Sequence, residues 1–388
     1  MKILINASNI GKGGASQVTN SICLELKNVV DMSFVVVLPK SLAYLKDEMT
    51  TFKHVEVIIH NVNNSKWTKL SGRETFLDRL VQEKQIDCVL SVFGPTWWIP
   101  RCPHLAGFAL AHLVMPESPY FQRMGSWERL KSRVNILTME FFFKRCSKYY
   151  YTENTMITER LQKKFAHHKV FTVTNFYNQI FDHPEKWQQL TLPNFDGCTM
   201  LTLATPNPHK NVGIAIPIAR YLKEHYSNFR FRFIFSFQKN QYPALPNDLK
   251  EHFLFIGYVS IYQCPSLYQQ ATIVFQPTLL ECFTAAYPEA MIMQRPIVTT
   301  SLAFAKGLCG DAALYYSPTS AKEAAEQIYT LANDRSLQTS LVNAGNQQIM
   351  NFDSYSDRLK KLLDICIQMV SQTSIPTDNQ KTMLNIRN

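Results

Sequence analysis

The chain has 388 residues, 46% of them hydrophobic and 18% charged, with a net charge of +10. The length exceeds one ordinary core and suits two α/β domains, and the composition excludes an intrinsically disordered chain. No apolar run is long enough for a transmembrane helix.

The start, MKILINASNI, passes directly into a strand-like run, and no signal peptide is expected. KILIN (2–6) is followed by GKGGASQ and an amphipathic stretch over 17–29. SFVVVLP (33–39) and HVEVII (54–59) predict two more strands, and a helical pattern over 72–84 leads into DCVLSV (87–92). Continuous apolar runs that alternate with helices predict parallel strands buried on both faces of a doubly wound sheet. A long helical pattern over 126–146 ends in KYYYT (148–152), and a second helix over 153–166 leads to KVFTVTN (169–175). Residues 176–198 hold Pro184, Pro193, Asn194 and Gly197 without a clear period, which places a linker there.

The second half restarts the pattern. TMLTLAT (199–205) predicts a strand, PNPHKN a turn that opens a helix to about residue 225, and FRFRFIF (229–235) an alternating strand. FLFIGY, TIVFQP and RPIVTT predict further strands, separated by helices near 260–270 and 285–293. Helix is expected over 320–350 and 354–369, followed by a polar, disordered tail over 371–388. The domains expected are 1–180 and 198–353, with a last helix over 354–370 that crosses back to the first domain.

Nine scattered cysteines without a CxxC pair point to free thiols and a reducing, cytoplasmic setting. No cluster of metal ligands and no DxD-type pair is evident, so no metal and no cofactor are expected. Between Phe121 and Val170, eleven Lys/Arg face four Asp/Glu, a surplus of seven out of the net ten. With the aromatics of FFFKRCSKYYY (141–151), this segment is either a solvated basic face or a surface for an anionic membrane. No helix-turn-helix, RNP or zinc-finger signature supports nucleic acid as a partner.

Four segments carry candidate chemistry. In LLECFTAAYPEAMIMQRPIVTT (279–300), Glu281 and Glu289 have seven residues between them, one in the loop after a strand and the other in the first turns of a helix. Carboxylates there can hold sugar and ribose hydroxyls, and the backbone of Phe283 and Thr284 would face phosphates. In TPNPHKNVG (205–213), Lys210 and Asn211 stand in a turn that opens a helix after a strand. In GKGGAS (11–16), Gly13 and Gly14 could wrap a phosphate or an acceptor sugar, and the spacing is not a dinucleotide fingerprint. PHLAGFALAHLVMPES (103–118) carries two histidines, His104 and His112. Trp97 and Trp98 either line an acceptor site or belong to the core.

The segment 279–300 resembles the E-x7-E donor motif of glycosyltransferase family 4, and GDAALYYSP (310–318) resembles that family's following stretch. Lys210 and Asn211 match its P-x-K-N step, where a cation would stabilise the diphosphate leaving group; Gly13 and Gly14 match its first glycine loop, and its first-domain histidine near the reaction centre would be His112 or His104, with His112 preferred. Thr205 stands where the family usually has Arg, and Cys282 and Thr284 where glycines are usual. The resemblance implies a GT-B architecture, two Rossmann-like domains facing across a cleft, and a retaining, metal-independent hexosyltransferase. It implies donor contacts from Glu281 (sugar), Glu289 (ribose), Phe283, Thr284, Asn211 and Thr205, with Glu281, Lys210 and His112 at the reaction centre. The expected partners are a nucleotide-sugar donor and a glycan or lipid-linked acceptor, at the inner face of a membrane. A non-catalytic nucleotide-sugar-binding subunit and a sugar-nucleotide epimerase are the alternatives.

Overall fold

The computed structural model describes residues 1–11, 13–62 and 65–373. Seven strands form the first sheet: β1 (Lys2–Asn6), β2 (Ser33–Leu38), β3 (Val55–Ile59), β4 (Cys88–Ser91), β5 (His104–Gly107), β6 (Tyr149–Thr152) and β7 (Lys169–Thr172). Their order is β3-β2-β1-β4-β5-β6-β7 and every pairing is parallel. Six strands form the second: β8 (Cys198–Thr202), β9 (Phe231–Phe235), β10 (Phe253–Phe255), β11 (Ile273–Gln276), β12 (Ile297–Thr300) and β13 (Ala313–Tyr316). Their order is β10-β9-β8-β11-β12-β13, again all parallel. The apolar runs read as strands are buried because helices cover both faces of a parallel sheet. These are the two doubly wound domains expected from the sequence.

Each sheet reverses its winding once, between β1 and β4 and between β8 and β11. At such a switch point the loops leaving two neighbouring strands diverge and open a crevice. The glycine loop leaves β1, residues 203–214 leave β8 and residues 277–285 leave β11, so strand order alone brings the candidate segments to crevices.

Local chemistry sets the finer boundaries. The expected helix over 72–84 is Thr75–Glu83, and a separate helix before it, Lys66–Ser71, ends at Gly72, which sits at φ 71° as a left-handed C-cap. PHK (208–210) is a single 3-10 turn, ended by Asn211 at φ 52°, and the α-helix begins only at Ala215. In β9, Phe231, Phe233 and Phe235 fill one core, while Arg232 on the other face lies 4.7 Å above the Phe195 ring. All nine cysteines are free.

The aromatics of 141–151 do not form one surface. Phe143, Tyr150 and Tyr151 are core residues, because the segment runs from the inner face of a helix into the buried strand β6; Phe141 alone of these aromatics is exposed. Trp98 is also core, with Nε1 donating to Asp78 at 3.0 Å.

The chain ties its halves together twice. Thr174 and Asp353 exchange hydrogen bonds, Thr174 N to Asp353 Oδ2 at 2.8 Å and Asp353 N to Thr174 Oγ1 at 2.6 Å. The helix Tyr355–Thr373 then packs Leu359, Leu362, Leu363, Cys366 and Met369 into the core under the first sheet. Ser371–Thr373 continue this helix; the rest of the tail expected to be disordered lies outside the described residues.

Candidate active site

Two groups of side chains meet at the second switch point. In the first, Glu281 lies in the loop after β11. Its Oε1 accepts from Thr278 Oγ1 at 3.0 Å, pairs with Lys210 Nζ, and lies 3.9 Å from His209 Nε2. Leu279 N donates to His209 O at 2.8 Å, which joins the loop after β11 to the loop after β8 and sets the approach of Lys210. The Lys210 and Glu281 side chains are largely buried, so their attraction is screened less than that of a surface pair.

The first domain supplies the facing wall. His112, in the short helix Ala111–Val114, sits edge-on to His209 with ring centroids 6.1 Å apart and also meets Tyr120 and Phe121. Burial lowers the pKa of both histidines, and the Glu281 carboxylate opposes that in each. Ser118 Oγ donates to Leu279 O at 2.7 Å, and the Arg123 guanidinium donates to Asn211 Oδ1. His104 lies elsewhere, between Ser91 Oγ at 2.9 Å and the Cys146 carbonyl at 2.9 Å inside the sheet. Burial pushes its pKa down to about 4, so it is a neutral core histidine at physiological pH.

The second group lines a cleft of about 200 Å³ between the domains. Glu289, Phe283 and Ala285 come from one side, and Gly14, Gln17, Glu153 and Arg358 from the other. Glu289 stands in the helix Ala286–Ile292 and accepts from Tyr268 Oη at 2.8 Å. Burial raises its carboxyl to about 7, and the Tyr268 hydroxyl partly offsets this. Gly13 has φ 102°, which L side chains rarely adopt, and a Cβ on either Gly13 or Gly14 would meet open space. The loop thus keeps room against the cleft. Lys12 of the same loop lies outside the described residues.

The remaining candidates fall around these groups. Thr284 is buried at the foot of the helix Ala286–Ile292, and its carbonyl accepts from Tyr287 N at 3.3 Å. Cys282 is buried. Thr205 is exposed beyond β8 and accepts from Asn207 Nδ2 at 3.0 Å; it carries no charge. Sequence reasoning missed His209, Tyr268, Arg123 and the buried Glu153. His209 had a signal in its place beside Lys210, whereas the other three come from distant segments that only folding brings near. Among the described residues no group of three or more His, Cys, Asp or Glu is placed to hold a metal ion.

Residues 198–334 match the family model of Glycosyl transferases group 1. The match covers the domain that carries Lys210, Glu281 and Glu289. A comparison with curated proteins finds no match. Solved structures share the whole architecture. A glycosyltransferase from Rickettsia africae ESF-5 is 13% identical with a TM-score of 0.67, over 95% of this chain and 98% of that one. Anabaena Alr3699/HepE, solved in complex with UDP-glucose, is 14% identical with a TM-score of 0.64, over 95% and 100%. A putative UDP-N-acetylglucosamine 2-epimerase from Listeria monocytogenes is 12% identical with a TM-score of 0.58, over 96% and 97%. At these identities the likeness establishes the GT-B fold.

Proposed function

We propose that the chain is a retaining glycosyltransferase of the family 4 type. It moves a hexose-type sugar from a nucleotide-diphosphate donor to a hydroxyl of a glycan or lipid-linked acceptor. The observation that carries this reading is the Lys210–Glu281 pair at the second switch point, faced by His112 from the first domain. Glu289 holds the ribose hydroxyls, and Glu281 orients the donor sugar. The diphosphate lies along the backbone of Phe283 and Thr284, near Asn211 and the glycine loop. As the glycosidic bond breaks, negative charge gathers on the diphosphate and Lys210 neutralises it. Arg123 supplies the second cation that Thr205 does not. Transfer needs no metal ion and no cofactor, and chelator leaves it unchanged.

The acceptor is presented at an anionic membrane on the cytoplasmic side, in surface polysaccharide synthesis, a reading that the basic surplus of segment 121–170 supports. The association proposed is peripheral; among the described residues no helix is long and apolar enough to cross a membrane. The epimerase alternative draws on the shared fold with the Listeria protein, but the family match over 198–334 weighs towards transfer. Incubation of the full chain with candidate nucleotide sugars and acceptor membranes, read by mass spectrometry and anomeric NMR, separates the two. Acceptor-dependent product of retained configuration supports transfer. Conversion of the donor sugar without acceptor, or inverted product, contradicts it.

A further inference from the structure

The helix Ser126–Cys146 is apolar on two faces. Ile136, Met139, Phe143 and Cys146 pack into the core, as an amphipathic helix should. On the opposite face Trp127, Leu130, Val134, Leu137 and Phe141 are each 51–66% exposed. Their steps of three and four residues make a continuous stripe along most of a helix about 30 Å long. The helix Lys66–Ser71 extends the patch with Trp67 and Leu70, both exposed. Arg145 ties the two helices by donating to the carbonyls of Leu70 and Ser71. A contiguous patch of this kind on a soluble domain marks an interaction surface.

The flanking charges say which. Lys131 and Arg133 border the stripe at one end, and Lys144 and Arg145 at the other. Glu140, the one acid along this edge, is already taken by Lys144 at 2.7 Å and Lys164 at 2.9 Å. Glu128 accepts from the Gly125 backbone at the helix start. A second copy on this face would set cations against cations, whereas a coiled-coil seam needs opposite charges at its edges. Lys131 lies 5.6 Å over Trp127 and Arg145 6.0 Å over Phe141, so aromatic rings and cations sit side by side as at a headgroup layer. The stripe also begins at the site. Arg123, four residues before Trp127, bonds Asn211 across the cleft.

We propose that this stripe, with Trp67 and Leu70, docks the chain on an anionic phospholipid surface, with the cleft opening at its edge. The proposal takes from the preceding reading only that the acceptor is presented at a membrane, and it moves the contact away from the aromatics of 142–151. The test is co-sedimentation of the full chain with phosphatidylcholine vesicles, with and without phosphatidylglycerol. Wild type should pellet with the anionic vesicles alone, and less with added salt. The exposed double variant Leu130→Glu/Leu137→Glu, and separately Lys131→Glu/Arg133→Glu, should each lose about tenfold or more of that binding. Their melting and nucleotide binding should match wild type. Wild type that stays in solution with anionic vesicles overturns the proposal. Variants that bind like wild type overturn this face while leaving a membrane acceptor standing. A wild-type dimer that the leucine variant dissociates, without vesicle binding, assigns the face to a second copy instead. Nucleotide calorimetry on the same samples reports separately on the donor site.

Discussion

At Glu281 one carboxylate oxygen collects the Lys210 ammonium and the Thr278 hydroxyl, with His209 close by. If Lys210 balances the leaving diphosphate, Lys210→Ala should lower kcat by about 10²- to 10³-fold with little change in KM, measured by steady-state transfer kinetics. An equal rise in KM at constant kcat would make Lys210 a binding residue only. Glu153 allows a different test. Its Oε1 has no hydrogen-bond partner among the described residues, and burial raises its carboxyl to about 7 against the Arg358 charge. The folded chain therefore binds this proton more tightly than the unfolded chain. The stability it contributes is complete below the ordinary carboxyl value and is lost as pH rises through about 7. Glu289 adds the same sign. Unfolding free energy should thus fall between about pH 5 and about pH 8, and Glu153→Gln should flatten part of that fall in chemical denaturation. An unchanged slope would remove Glu153 as its source.

At the scale of elements, the helix Ser126–Cys146 carries two apolar faces with different tasks. Phe143→Ala, on the core face, should cost about 3–5 kcal/mol of unfolding free energy. Leu137→Ala, on the outer face, should change it by about 0.5 kcal/mol or less, both read by denaturant titration. Equal losses would mean that the outer face is packed in solution. This helix also shows what a sequence can and cannot reveal. Its span was legible from periodicity, yet two apolar stripes blur each other, and which one faces solvent is decided by the sheet it covers. The strands around both switch points were legible because buried parallel strands read as unbroken apolar runs. Lys210 and Glu281 were legible as neighbours of strand ends. Arg123 and Tyr268 were not, since each reaches its partner from another element: Arg123 meets Asn211 across the cleft, and Tyr268 meets Glu289 from a separate helix.

At the scale of the whole molecule, the cleft depends on how the halves are joined. Arg358, from the crossing helix, donates to Ser21 Oγ at 2.6 Å and to Asn175 just after β7. Its position beside the cleft couples the last helix, the glycine-loop helix and the segment after β7. Arg358→Ala strands these buried polar groups and should cost about 3–5 kcal/mol, seen as a lower melting temperature in scanning calorimetry. Melting at the wild-type temperature would show that the contact is dispensable. The central claim, a nucleotide-sugar site between the domains, is tested most directly by titration calorimetry of UDP, GDP, ADP and CMP against wild type and Glu289→Ala. Selective binding of one nucleoside diphosphate by wild type, lost in Glu289→Ala, is the predicted result. No binding by wild type, or binding that Glu289→Ala leaves unchanged, would contradict the account.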